Sequence, residues 1–113
     1  MTENISYDDF LKVDLRVGKI TRVEPFPKAR KPAFKLWIDF GQELGTKQSS
    51  AQITARYNEQ ELQGRLIVAV VNFAPRQVAD FKSEVLVLGS LSENNEVILL
   101  TPEPGSCPGA RVF

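Results

Sequence analysis

The chain has no histidine, one cysteine and one tryptophan among its 113 residues. The missing histidine removes every Ser-His and Cys-His nucleophile pair and every His-containing zinc site. The lone Cys107 can form neither an internal disulfide nor a thiolate cluster, a usage that fits a reducing compartment. Neither GxGxxG nor a GxxxxGKS/GxxxxGKT stretch occurs, so neither glycine-rich phosphate cradle is encoded. No apolar run approaches the roughly 20 residues of a membrane span. The N-terminal MTENISYDDF is acidic and lacks the apolar centre of a signal peptide. These absences lead to an expected non-enzyme with no catalytic residue, metal or cofactor, not inserted in a membrane and cytoplasmic.

The length suits one domain, expected to span 1–113, and large enough to build a core without disulfides or metal. Net charge is zero, but its distribution is uneven. Residues 16–35 carry Arg16, Lys19, Arg22, Lys28, Arg30, Lys31 and Lys35 against Glu24 alone. Two readings stand: a solvated strand and loop with acids near it in space, or a surface that faces anions.

Ser6-Tyr7-Asp8-Asp9 has capping-box spacing and predicts a short helix over about 7–12. A first strand follows over 14–24, with Leu15, Val17, Ile20 and Val23 apolar. Its parity changes between Val17 and Ile20, which predicts a bulge or bend at Gly18. PFPKARKPA, residues 25–33, reads as a loop. In the second strand Phe34, Leu36, Ile38 and Phe40 alternate with Lys35, Trp37 and Asp39. Trp37 therefore falls on the polar face, either packed under a loop or partner or available for stacking. GQELG reads as a turn, 46–53 as a polar strand, and Asn58–Glu61 as the cap of a helix near 59–63. Strands are predicted over 65–73, 85–91 and 96–100, with 72–84 a loop and the Pro/Gly-rich tail irregular.

A bent first strand, and one helix between strands three and four, match the five-stranded Greek-key OB barrel, here with short helices and a C-terminal extension. The fold is expected to be all-β. Ligands of such barrels bind across strands two and three, between the one-to-two and four-to-five loops. Here these are PFPKARKPA and NFAPRQVADFKSE.

DLRVGKI, VVNFAPRQVADFKSEVLVLG and LLTPEPGSCPGARV together resemble the tRNA-binding OB domain, the module at the C-terminus of bacterial methionyl-tRNA synthetases and in the endothelial monocyte-activating polypeptide. FPKARKPAFKLWIDFG and KQSSAQITARY are most similar to the stand-alone CsaA proteins, described as secretion chaperones. The resemblance implies a homodimer joined through its chain ends, binding tRNA and, for the CsaA type, unfolded or export-bound (preprotein) peptides. The synthetase-type loop N-L-x-P-R-K-M-R-x-x-x-S-E-G-M is matched at Asn72, Pro75, Arg76, Ser83 and Glu84. Gln77 and Ala79 replace its Lys and second Arg, which makes this loop less basic.

The expected tRNA contacts are Lys28, Arg30, Lys31, Lys35, Lys47, Asn72, Arg76, Lys82 and Ser83. Cations would neutralise phosphates, and Asn72 and Ser83 would bond backbone or sugar. Trp37, Phe73, Val78 and Phe81 would line an apolar peptide groove. Structural roles compete with each: Asn72 as a strand-end cap, Ser83 bonding its own loop, Phe81 as a plug. The alternative functions are a tRNA-binding accessory factor without chaperone role and a purely structural dimer.

Overall fold

The computed structural model describes residues 2–113. Its elements are α1 (Tyr7–Leu11), β1 (Leu15–Pro25), β2 (Phe34–Asp39), α2 (Gly41–Leu44), β3 (Thr46–Ala51), α3 (Glu59–Leu62), β4 (Leu66–Val70), β5 (Arg76–Val78), β6 (Phe81–Ser83), β7 (Leu86–Val87), β8 (Gly89–Leu91), β9 (Val97–Leu99) and β10 (Arg111–Val112). The main sheet runs β3-β2-β1-β4-β7, with β10 added to β1; β5–β6 and β8–β9 are separate hairpins. The sheet nearly closes on itself, giving the OB-type barrel expected.

Both capping boxes form. Ser6 Oγ accepts from the Asp9 amide at 3.1 Å while the Asp9 carboxylate accepts from the Ser6 amide. Asn58 and Glu61 make the same reciprocal pair at 2.8 and 3.0 Å. Helices of four or five residues gain little from propensity, so these caps and the chain around them hold α1 and α3 in place.

Strict alternation in β2 delivers Phe34, Leu36, Ile38 and then Phe40 to the core, where they meet Ile20, Val23, Leu62 and Ile67. The outward residues Lys35, Trp37 and Asp39 are half-buried.

The parity break in β1 is not at Gly18. Register shifts between Ile20 and Arg22, so Ile20 and Val23 both point inward across a bulge. Val17 misled the parity argument. It is buried, but beside Val68, Leu100 and Pro102 under the C-terminal tail rather than in the barrel core. Gly18 has another role: a Cβ there would stand 2.5 Å from Ile38 Cγ2 and 2.6 Å from Phe40 Cε1. Gly18→Ala is expected to destabilise by about 1–3 kcal/mol through overpacking, measurable as a lower urea midpoint with unchanged slope.

The tail is also more regular than expected. β10 pairs Val112 with Leu15 and Arg111 with Arg16, and the Val17 amide bonds Ala110 O at 2.9 Å. Gly109, at φ 92°, permits this approach, since a Cβ there would meet Phe40 O at 2.5 Å. Charge adds to it. Arg16 bonds Asp14 at 2.6 Å and donates to Gly109 O at 3.0 Å, and Arg111 donates to Leu11 O at 3.1 Å. The Arg16 hydrogen bond holds the Asp14 carboxyl below its ordinary value. A depressed folded pKa gives stability that is present above the unfolded value of 3.8 and lost as pH falls through the folded one. Asp14→Asn should therefore lower the thermal midpoint at pH 7, and the gap to the parent should close below pH 4.

Three further expectations change in detail. GQELG forms the single helical turn α2. The 72–84 segment contains the β5–β6 hairpin, turning at Ala79 (φ 52°) and Asp80. The fifth strand is broken at Leu88: β7 pairs β4, and β8 leaves the barrel to pair β9. In each case local side-chain alternation was too short to fix the element.

Candidate nucleic-acid interface

The 25–33 loop and the β5–β6 hairpin do not merely flank the outer face of β2. They meet over it. Phe26 and Phe81 pack edge to face with centroids 5.5 Å apart, and Phe81 does the same with Trp37 at 5.9 Å. Phe26, Ala33 and Phe81 are buried, with Ala29 and Val78 packed against them, so this cluster is a second small core outside the barrel. Lys35 Nζ lies 4.9 Å from the Phe26 ring centre and 5.2 Å from that of Phe81. The Arg22 guanidinium covers Trp37 at 4.6 Å and pairs with Glu24. Such cation–ring contacts favour keeping both partners in place.

A salt bridge joins the two loops at their tips. Lys28 Nζ donates to Asp80 Oδ2 at 2.9 Å. The pairing holds the Asp80 carboxyl below its ordinary value and Lys28 above its own. Both groups are exposed, so the pair contributes little stability.

Between the loops lies an open groove of about 680 Å³. Lys28, Arg30, Lys31 and Arg76 line it, together with Ser50, Gln52 and Gln77–Ala79. Arg30, Lys31 and Arg76 are exposed and make no ion pair among the described residues. Desolvation of these cations is small, and they stay available to a phosphate or carboxylate.

The structure thus brings Lys28, Arg30, Lys31, Arg76 and Val78 to one groove, with Lys35 and Trp37 beside it. It does not bring the others. Lys47 pairs opposite Ile38, on the other face of the sheet from Lys35 and Trp37. Lys82 is exposed opposite Gln77, on the hairpin face turned away from Phe81. Asn72 Oδ1 accepts from the Asp14 amide at 2.9 Å and Nδ2 donates to Lys12 O at 2.8 Å, tying β4 to the α1–β1 connection. Phe73 is exposed beside it, at the opposite end of β1 from the basic loop. Ser83 Oγ accepts from the Ser50 amide at 3.0 Å. Phe81 is only 6% exposed.

Sequence reasoning missed the seal on which the hairpin rests. Glu84 and Gln48 exchange two bonds: Glu84 N to Gln48 O at 2.8 Å, and Gln48 N to Glu84 Oε1 at 3.0 Å. Gln48 Nε2 also donates to Lys82 O, and the buried Ser49 hydroxyl donates to Val85 O. These bonds cover the outer edge of β3 where a strand partner is missing. The available signal was the run Gln48-Ser49-Ser50, polar on both faces of a strand paired to the apolar-in β2. Ser83→Ala would leave the Ser50 amide unpaired and is expected to cost about 1 kcal/mol, with faster amide exchange at Ser50.

No group of three or more carboxylate or thiol side chains converges on a metal-sized site among the described residues. None of their helices is long and apolar enough to cross a membrane.

A family model described as "Putative tRNA binding domain" matches residues 15–111. The chain belongs to this tRNA-binding domain family. Within it the chain is similar to the chaperone CsaA of Bacillus anthracis str. Ames, at 54% identity and TM-score 0.91 over 98% of this chain and all of that one. It is similar in the same degree to the CsaA chaperone protein of Picrophilus torridus: 52% identity, TM-score 0.92, 97% of this chain and all of that one. A MetRS related protein from Pyrococcus horikoshii aligns over 99% of this chain and all of its own at 26% identity and TM-score 0.88. The resemblance read from the loop and tail motifs is thereby established, including its CsaA side.

Proposed function

We propose that this chain is a non-catalytic, homodimeric binding protein of the CsaA type, a single domain that takes tRNA and unfolded or export-bound polypeptides in the groove between its two loops. The observation that carries the reading is the convergence of Lys28, Arg30, Lys31 and Arg76 on that groove. Four cations on a partly pre-formed surface attract a phosphate backbone without needing base-specific contacts. Family membership supports the tRNA ligand, and the two chaperones at 52–54% identity support the polypeptide. Fluorescence anisotropy with labelled tRNA tests the first: affinity should fall steeply from about 50 to 200 mM salt. Flat binding across that range counts against the groove. The alternative, a tRNA-binding accessory factor only, is favoured by the burial of Phe81, which leaves less apolar surface for peptide. Purification without nuclease, followed by identification of what accompanies the protein, separates the two.

Homodimerisation rests on a concentration of exposed apolar side chains where the chain ends meet. Ile5, Tyr7 and Leu11 of the N-terminal segment, Phe73 next to the Asn72 tie, Leu86 opposite Val70, and Phe113 beyond β10 are all uncovered. Removing residues 1–12 should shift sedimentation toward monomer; an intact chain that is monomeric at micromolar concentration contradicts the proposal.

A further inference from the structure

The polypeptide reading leaves open what kind of segment the groove accepts. Apolar selection finds little footing here. Phe81 is 6% exposed, with Phe26, Trp37 and Lys35 around its ring, and Arg22 lies over Trp37. What faces a ligand is positive charge from Arg30, Lys31, Arg76 and Lys28.

The chain itself already shows what that charge receives. Asp80, at the tip of a hairpin of extended strands, sets its carboxylate on Lys28 at 2.9 Å. Arg30, Lys31 and Arg76 have no such partner among the described residues. The backbone at the groove floor also favours an extended chain. The outer edge of β3 is taken by 83–85 as far as Ser50. Beyond it Gln52 lines the groove, and its amide makes no hydrogen bond among the described residues. A peptide carbonyl laid along that edge meets a waiting donor.

We propose that the polypeptides bound here are acidic: extended, unfolded segments whose Asp and Glu side chains meet Arg30, Lys31 and Arg76, and which reach Lys28 by displacing Asp80. This rests on the polypeptide reading above and sharpens it. Basic segments, such as the positively charged start of an export signal, are repelled from the same groove. Planar guanidinium groups at two of the four positions suit carboxylates well, since they can bind them in a two-pronged fashion. Acidic peptide and tRNA then exclude each other, because both need the same cations.

The test uses the full-length protein and three labelled, unstructured peptides of equal length and apolar content. One carries Asp and Glu, one Asn and Gln at those places, and one Lys and Arg. The acidic peptide should bind about tenfold more tightly than the neutral one, the gain expected of two or three exposed ion pairs, and the basic peptide should bind least. The preference should shrink with salt, and tRNA should displace the acidic peptide. Asp80→Asn should raise acidic-peptide affinity a few-fold while leaving the neutral peptide unchanged; Arg30→Gln, Lys31→Gln and Arg76→Gln together should bring the acidic peptide down to about the neutral level. Equal affinity for acidic and neutral peptides overturns the acidic preference and leaves polypeptide binding standing. If no peptide binds while tRNA does, polypeptide binding itself falls, and the preference with it.

Discussion

Replacing Arg30, Lys31 and Arg76 together by alanine is expected to lower tRNA affinity by roughly a hundredfold near 100 mM salt and to flatten the log–log salt slope by about two to three units. The three residues are chosen from the geometry. Each is exposed, lines the groove and lacks an ion partner among the described residues. Lys28 is a poorer choice because Asp80 already neutralises it. Lys35 is worse, because its side chain lies over Phe26 and Phe81 and its loss would disturb the loops themselves. Surface substitutions of the chosen kind usually change stability by less than about 0.5 kcal/mol. A drop in affinity with an unchanged thermal midpoint therefore reports on contacts, not on folding. A control at Lys47 and Lys82, which the sequence placed among the tRNA contacts and the structure puts on other faces, should move the slope far less. If the control pair has the larger effect, the nucleic acid lies elsewhere on the barrel.

How much of this was readable from the chain depended on how local the cause was. β2 was legible because each of its residues declares its face by alternation, and both capping boxes because donor and acceptor are three residues apart. The bulge after Ile20 was misplaced because what buries Val17 is a tail more than 80 residues away. For the site, the clustering of cations in 25–33 was visible in composition, and so was the pairing of that loop with the 72–84 segment once the barrel was inferred. Phe81 was read both as a groove-lining residue and as a plug, and its burial decides for packing, though between the two loops rather than inside the barrel, because the loops touch each other instead of standing apart. Asn72 and Ser83 matched a family motif and were expected to face ligand, with a strand-end cap and a loop-backbone bond as the competing roles. Both spend their polar atoms on the chain's own backbone, roles that spacing alone could not separate from binding.

The same aromatic cluster yields the largest expected effect on stability. Phe81→Ala should cost about 3 kcal/mol, near the lower end for removing a buried phenylalanine, because its surroundings form a small cluster rather than the main core. For a domain of this size that is roughly 10–15 °C in thermal midpoint. The loss should spread beyond the hairpin. Phe81 lies two residues before Ser83, which with Glu84 and Val85 covers the outer edge of β3. Loosening the hairpin therefore frays the barrel where it has no strand partner. Two local readings accompany the global one. Trp37, whose ring packs near-perpendicular to that of Phe81, should shift its emission to longer wavelength as water enters, and it is the sole tryptophan in the chain. Amides of 76–83 and of the 25–33 loop should exchange faster, while those of β2 and β4 lose protection only in step with overall stability. Ligand affinity should fall as well, since the groove cations then have to be ordered on binding. Phe81→Leu, which keeps apolar volume, should recover most of the stability. A Phe81→Ala protein with an unchanged midpoint, unchanged Trp37 emission and undiminished tRNA affinity would show that the loop contact does not organise the groove, and the site would then have to be sought on the barrel surface beyond it.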